Sequence, residues 1–301
     1  MTPSYQALLG LSVGDAFGAQ FFVPANRPAL IHRQLPPAPW PWTDDTEMAC
    51  SVYACWTGRG ALDQAELTRS FAERHDFDRG YGPAANRLLR LIREGGDARA
   101  LAAGLFDGQG SFGNGAAMRV APLGAAFAAD PAAVVGPATV SAVITHTHPQ
   151  GVAGAVAVAV AAAYAVRART ERTDPAAFLT AVRRLTPPGA VHAGIGEAIE
   201  LLGEPDHRTA AQVLGNGSRT SAADTVPFAL WAAARNPADF EAALWETVSA
   251  GGDVDTTAAI VGGIVAARTG SAGIPAAWLA ATEPLPGWAR TGSAGSGGPE
   301  R

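Results

Sequence analysis

Residues 150–166 read Q-G-V-A-G-A-V-A-V-A-V-A-A-A-Y-A-V, and none of these side chains carries a charge. Alanine and valine dominate the stretch, and its glycines leave room for neighbouring backbones. A membrane span needs about 20 predominantly apolar residues, so this stretch is short and only weakly apolar for that purpose. It therefore predicts a helix, over 151–170, that is buried in the core of a soluble protein.

Helical patterns of the same kind cover most of the remaining chain, whereas alternating strand patterns are scarce. Many segments begin at Asp, Ser, Thr or Pro and end near Gly or Asn, as helices do. The patterns predict further helices over 5–18, 45–57, 63–74, 83–94, 116–128, 136–145, 175–185, 189–202, 221–234, 237–249, 256–269 and 274–281. We therefore expect an all-α protein with one compact multi-helix domain over residues 1–290. The Gly- and Ser-rich residues 291–301 are expected to form a disordered tail.

The composition excludes several kinds of function. The chain of 301 residues has a formal net charge of −5, and all 22 of its basic residues are arginine. Without lysine, it has neither a P-loop lysine nor a Schiff-base lysine. The absence of a basic block argues against a dedicated nucleic-acid surface. Cys50 and Cys55 are too few for a disulfide framework, and residues 1–20 lack the basic region of a signal peptide, so we expect a cytoplasmic protein.

Two short acidic motifs, T-D-D-T at 43–46 and D-V-D-T at 253–256, each stand at the start of a predicted helix. The first motif alone is explained by N-capping of its helix, whereas the second has more carboxylates and hydroxyls than one N-cap needs. Brought together, four carboxylates would repel one another unless cations neutralised them, and oxygen donors without His or Cys suit Mg²⁺ or Mn²⁺. The motifs therefore predict two such ions that share ligands. The candidate ligands are Thr43, Asp44, Asp45, Asp253, Asp255 and Thr256.

Two further motifs suggest ligand binding. The segment G-S-F-G-N-G-A-A-M-R at 110–119 precedes a predicted helix, and backbone N–H groups at such a turn suit an anion such as a diphosphate. Phe112 or Met118 can pack there against a base or a ribose, although an ordinary loop is the alternative. In T-H-T-H-P at 145–149, the spacing of the histidines favours one ligand-facing and one structural histidine.

In this order, the motifs resemble the ADP-ribosylglycohydrolase family. The resemblance also rests on G-L-S-V-G-D-A-F-G at 10–18, W-T-D-D-T at 42–46 and R-G-Y-G at 79–82, so that it spans roughly residues 7–270. It implies a compact all-α domain with two Mg²⁺ or Mn²⁺ ions in a central cleft. The implied reaction cleaves the glycosidic bond at C1″ of ADP-ribose, and the implied substrate is an ADP-ribosylated protein side chain or small molecule.

The resemblance also implies roles for individual residues. Both acidic motifs correspond to metal ligands, and His146 corresponds to a histidine that reaches the bound ADP-ribose. The loop at 76–82 corresponds to a loop over the distal ribose, where we expect Asp78 to act. The catalytic candidates are Asp44, Asp45, Asp78 and Asp255. The substrate-binding candidates are Tyr81, Gly82, Ser111, Phe112, Gly113, Asn114, Gly115, Met118 and His146.

The chain departs from the family at Phe22, where many relatives have a glutamate. No carboxylate follows Asp15 until Asp44, which leaves the acceptor and the base that activates water open. Asp15 itself is expected to accept hydrogen bonds behind the metal ligands or to be a structural polar residue. The alternatives to an active hydrolase are a non-catalytic ADP-ribose-binding protein and a two-metal phosphoester hydrolase. We expect a monomer that does not bind membranes.

Overall fold

The computed structural model describes residues 1–171 and 174–290, and this part of the chain contains helices and loops but no β-strand. The all-α prediction is therefore confirmed, while the predicted tail at 291–301 lies outside the described residues. The α-helices are α1 (Pro3–Ala19), α2 (Arg27–His32), α3 (Asp44–Arg59), α4 (Gln64–Arg74), α5 (Pro83–Arg93), α6 (Ala98–Ala103), α7 (Leu105–Gly108), α8 (Ala121–Ala125), α9 (Val135–Val143), α10 (Pro149–Arg167), α11 (Pro175–Leu185), α12 (Ala190–Glu200), α13 (His207–Leu214), α14 (Ala222–Arg235), α15 (Phe240–Ser249), α16 (Val254–Thr269), α17 (Ala276–Ala281) and α18 (Gly287–Arg290).

Helices α1 and α16 run antiparallel and contact each other along their backbones. Gly10, Gly14 and Gly18 recur at every fourth residue of α1, and a Cβ atom at any of them would overlap the α16 backbone. At Gly14 the overlapped atom is the carbonyl oxygen of Ala258. These glycines are therefore needed for space. Their contact brings the half of α1 that carries Asp15 beside the N-terminus of α16.

Helix α10 is buried in the core, as the sequence of residues 150–166 predicts. Most of its residues are buried, and it packs against α8, α9, α14 and α16. Its length and apolarity also satisfy the criteria for a membrane span, as do those of the bent pair Pro3–Phe22 and Pro24–His32. Core helices of soluble proteins meet the same criteria, and most residues of α10 are buried inside the protein.

The predicted helix over 116–128 is wrong for most of its length. The chain forms a 3-10 turn at Asn114–Ala116 and becomes α-helical only in α8. Between them lies Arg119, whose guanidinium group enters the core and donates to the carbonyl oxygen of Ser141 at 2.6 Å. Gly124 of α8 lies directly against the backbone of Ala159. Tertiary contacts therefore override the local helical periodicity of this segment.

Candidate active site

Asp15 of α1 holds the N-terminus of α3 in place. Its Oδ2 atom accepts hydrogen bonds from the backbone N–H groups of Thr43 at 2.9 Å and Thr46 at 3.1 Å, and from the Thr46 hydroxyl at 2.6 Å. Its Oδ1 atom accepts from the Thr43 hydroxyl at 2.8 Å. Burial raises the pKa of Asp15 to about 6 in spite of these donors. Asp15 therefore accepts hydrogen bonds from the first acidic motif, as both of the expected roles for this residue require.

The N-termini of α3 and α16 meet beside Asp15 and bring the two acidic motifs together. Carboxylate oxygens of Asp15, Asp45 and Asp255 lie within 4.8 Å of one another, and the Thr256 hydroxyl donates to Asp45 Oδ2 at 3.5 Å. Burial, reinforced by the neighbouring carboxylates, raises the pKa of Asp45 and Asp255 well above the ordinary value. The same causes raise the pKa of Asp44 to about 8. The carboxylates therefore repel one another, and a bound cation would relieve that repulsion.

The donors of this cluster fit a hard divalent cation. The Oδ1 atom of Asp45 is buried and has no hydrogen-bond partner in the part of the chain that the structure describes. A buried carboxylate oxygen without a donor is costly unless a cation or an ordered water contacts it. The surrounding donors are carboxylate and hydroxyl oxygens, which Mg²⁺ and Mn²⁺ prefer. The residues present could therefore hold a divalent cation.

Asn114 links the glycine-rich segment to the second acidic motif. Its side-chain amide donates to Asp253 Oδ2 at 2.7 Å and to the hydroxyl of Thr225 in α14 at 3.0 Å. Asp253 immediately precedes α16, so the amide fixes this carboxylate relative to the segment that carries Asn114. The residue expected to hold substrate therefore also positions a metal-ligand candidate.

These groups line a cavity of about 470 Å³, a volume typical of ligand-binding pockets. Its lining combines the acidic cluster with the glycine-rich segment, so the candidate metal ligands and the candidate substrate-binding residues face the same cavity. The site residues predicted from the sequence that line it are Asp44, Asp45, Gly82, Ser111, Phe112, Gly113, Asn114, Gly115, Met118, His146, Asp253, Asp255 and Thr256.

Two aromatic rings stand at the exposed part of this cavity. Phe106 and Phe112 both line it and are 50% and 42% exposed, with their ring centroids 5.7 Å apart. Phe106 has a φ angle of 52°, in the left-handed region that a non-glycine residue rarely adopts. Helix α7 therefore holds a large apolar side chain beside Phe112 and partly in solvent, which is typical of a ligand-binding surface.

The two histidines of the T-H-T-H-P motif have different surroundings. His146 lines the cavity, and its burial, together with the charge of Arg119, lowers its pKa to about 3, so the ring is neutral at pH 7. His148 is the N-cap of α10, where its Nδ1 atom accepts from the backbone N–H of Gln150 at 3.1 Å. One histidine therefore faces the cavity and the other supports a helix.

Besides Asp15, the sequence analysis singled out four residues that do not line the cavity. Thr43 is bound to Asp15, as described above. Tyr81 is buried and donates its hydroxyl to Glu47 at 2.6 Å. Asp78 is exposed on a 3-10 turn, and Phe22 is 48% exposed at the end of another. Tyr81 is thus positioned to support the loop at 76–82, and neither Asp78 nor Phe22 contributes to the cavity wall.

Sequence reasoning did not single out Phe106, Arg119, Thr145 or Arg219 as site residues, although all four line the cavity. Arg119 is the last residue of the quoted motif at 110–119, and Thr145 is the first residue of the motif at 145–149. An arginine at the end of a run of small and apolar residues could have indicated a buried residue near the site, because a buried charge needs partners. Phe106 lies in the four-residue α7 and has non-helical backbone angles, and Arg219 lies in a turn. No periodic pattern indicates the direction of either side chain.

Comparisons with known proteins agree with this geometry. The sequence profile of the ADP-ribosylglycohydrolase family matches residues 4–293. The Bos taurus protein named ADP-ribosylhydrolase ARH3 is 29% identical, over 92% of this chain and 86% of its own. The Rhodospirillum rubrum protein named ADP-ribosyl-[dinitrogen reductase] glycohydrolase is 28% identical, over 91% and 87%.

A solved structure gives the same result for the fold. It is described as an ADP-ribosylglycohydrolase-related protein complex, and it matches with a TM-score of 0.68 at 28% identity, over 93% of this chain and 92% of that chain. Since the family profile covers nearly the whole sequence and the fold agrees, the chain belongs to the ADP-ribosylglycohydrolase family.

Proposed function

We propose that this protein hydrolyses the glycosidic bond between ADP-ribose and an acceptor, with divalent cations held by its acidic cluster. One observation carries the proposal: metal-type oxygen donors and a glycine-rich turn line the same cavity of about 470 Å³. The names of the Bos taurus and Rhodospirillum rubrum relatives, an ADP-ribosylhydrolase and an ADP-ribosyl glycohydrolase, support the reaction type.

The cations would be held by residues from both acidic motifs. Five of the six candidate ligands line the cavity: Asp44, Asp45, Asp253, Asp255 and Thr256. The sixth, Thr43, donates its hydroxyl hydrogen bond to Asp15. When bound, such cations would supply positive charge beside the ribose hydroxyls and lower the pKa of water. Two Mg²⁺ or Mn²⁺ ions would neutralise the charge of the four carboxylates.

The glycine-rich segment would bind the part of the substrate that does not react. Its backbone reaches the cavity at Gly113 and Gly115, and small residues allow a diphosphate to approach closely. Phe106 and Phe112 offer exposed ring faces to the adenine base. Binding energy from these remote groups can then be used to orient the ribose at the acidic cluster.

The reaction also needs a proton acceptor near the reacting carbon. Glycosidic cleavage passes through an oxocarbenium-like ribose, so a carboxylate has to take the proton of the attacking water. Asp44, Asp45 and Asp255 lie on the cavity wall and are the candidates. Asp78, the fourth catalytic candidate, is exposed outside that wall, and its part in this step stays a prediction.

The experiment is a panel of ADP-ribosylated substrates, with serine-linked and arginine-linked peptides and a small-molecule ester, each incubated with the protein and Mg²⁺. We expect release of intact ADP-ribose from at least one linkage. Release of AMP with the phosphoribose left on the acceptor, or release of adenosine, would instead indicate a phosphohydrolase. Tight binding of ADP-ribose without release from any substrate would indicate a binding protein.

A further inference from the structure

We infer that Arg119 and Thr145 are positioning residues that fix His146 in the tautomer protonated on Nε2, so that the ring donates a hydrogen bond into the cavity. The inference rests on the proposed function for the identity of the ligand, ADP-ribose. Its geometric part depends only on side chains that the structure describes.

The first link is the buried guanidinium of Arg119. Its Nη2 group donates to the carbonyl oxygen of Ser141 at 2.6 Å, and its Nη1 group donates to the hydroxyl oxygen of Thr145 at 3.0 Å. The guanidinium also lies 4.5 Å from the centre of the Phe71 ring. Because an arginine side chain can only donate, the Thr145 oxygen must be the acceptor in this bond.

The second link joins Thr145 to the histidine. The Thr145 hydroxyl oxygen lies 2.7 Å from His146 Nδ1. Arg119 and His146 are the partners that the structure gives this hydroxyl, and the first of them has no acceptor. The single hydroxyl proton therefore points to Nδ1, which must be unprotonated. A neutral imidazole carries one N–H group, so that group is Nε2–H.

The third link is the space beside Nε2. A Cβ atom on Gly113 would lie 3.2 Å from His146 Nε2, and one on Gly115 would lie 3.0 Å from Cε1 and 3.2 Å from Nε2. Gly113 has a φ angle of −63°, which any residue adopts, so its backbone conformation does not require glycine. The two glycines instead keep the Nε2 edge of the ring open. The open donor lies at the turn to which we assign the diphosphate, so its acceptor is an oxygen of ADP-ribose.

The direct test is the tautomer of His146 in the unliganded protein. Histidine labelled with ¹⁵N distinguishes a protonated from an unprotonated ring nitrogen by two-bond ¹H–¹⁵N correlation spectra, and a His146→Gln variant assigns the signals. We expect a protonated Nε2 and an unprotonated Nδ1 at pH 7. A proton on Nδ1 would overturn the inference, whether or not the protein proves to be a hydrolase.

The variants Thr145→Val and Thr145→Ser test the relay itself. The first keeps the shape and removes the hydroxyl, whereas the second keeps the hydroxyl. We expect Thr145→Val to mix the two tautomers and to weaken ADP-ribose binding about threefold to tenfold, the effect of one lost hydrogen bond. Thr145→Ser should restore both. Thr139→Val is the matched control, because Thr139 donates to Val135 at 2.8 Å in the preceding helix α9 and does not line the cavity.

The outcomes separate this inference from the proposed function. A single Nε2–H tautomer that mixes in Thr145→Val, in a protein that releases no ADP-ribose, would support the relay and count against the hydrolase. Unchanged tautomer and affinity in a folded Thr145→Val, in a protein that does release ADP-ribose, would refute the relay alone. Melting curves establish that each variant is folded.

Discussion

Asp255 lies among the carboxylates of two helix N-termini, so its charge should have opposite effects on stability with and without metal. In the presence of a chelator at pH 7, Asp255→Asn removes an acid whose pKa burial and neighbouring carboxylates raise, and we expect it to stabilise the folded state by about 1 to 3 kcal/mol. With Mg²⁺, the variant should gain less stability than the wild type because a ligand is lost. Melting curves of both proteins in both conditions measure the crossover.

The control for this comparison is Asp130→Asn. Asp130 is exposed and caps a short 3-10 turn by accepting from the backbone of Ala132 at 3.1 Å, a role that asparagine fills equally well. It should melt like the wild type in both conditions. A loss of stability of Asp255→Asn in chelator would contradict this account. It would mean that hydrogen-bond donors stabilise the Asp255 carboxylate more than its neighbours repel it.

Phe112 should contribute to affinity without contributing to stability. Its ring is 42% exposed at the cavity, and removal of one base-stacking ring typically costs about 1 to 3 kcal/mol of binding. We expect Phe112→Ala to weaken ADP-ribose binding roughly tenfold to a hundredfold by calorimetry. Phe22→Ala is the matched control, since Phe22 is 48% exposed and lies outside the cavity wall. Equal losses in the two variants would mean that Phe112 is not a contact.

The contact between α1 and α16 should not tolerate a methyl group at Gly14. Gly14→Ala would place its Cβ atom on the carbonyl oxygen of Ala258, so the helices must separate. We expect a loss of about 1 to 3 kcal/mol or more in unfolding free energy by urea titration. Gly58→Ala in α3 has no neighbour within 4 Å and should be neutral or stabilising by up to about 1 kcal/mol. Two variants of equal stability would contradict the close packing.

Helices with a strong periodic pattern could be predicted from the sequence, and those shaped by their neighbours could not. The long core helix α10 follows from residues 150–166, and its predicted end at 170 exceeds the observed end by three residues. The segment 116–128 has helical periodicity, yet burial of Arg119 and the contact at Gly124 break it. Helices α2 and α13 were not predicted because each is short, with six and eight residues.

For the acidic cluster, too, local features could be predicted from the sequence, whereas contacts between distant residues could not. The residue types of the two acidic motifs predict oxygen ligands, and their positions at helix starts follow from capping preferences. That Asp15 fixes the first motif depends on a contact across 28 positions of sequence. The contact between Thr256 and Asp45 spans 211 positions. No local pattern contains such distances. The chemistry of the carboxylates predicted that the two motifs share ions, but neither it nor any local pattern could give the contacts themselves.

Because residues from both ends of the described chain form the cluster, metal binding should stabilise the entire domain. Cation binding at 100 times its dissociation constant contributes about 2.7 kcal/mol. For a domain of this size, that corresponds to a rise of about 4 °C in the melting temperature. We expect Mg²⁺ or Mn²⁺ to produce this rise, and excess chelator to abolish it. A melting temperature that is indifferent to both would show that no cation binds at the meeting point of α1, α3 and α16.

The most direct test of the function is the release of free ADP-ribose by the wild type and Asp255→Asn, each with Mg²⁺ and with chelator. The substrate is whichever linkage the wild type cleaves. We expect rapid release only from the wild type with Mg²⁺, and a rate lower by about a hundredfold or more in the variant or in chelator. Release that proceeds equally in all four conditions, or no release from any linkage in a folded wild type, would contradict a metal-dependent ADP-ribosyl hydrolase.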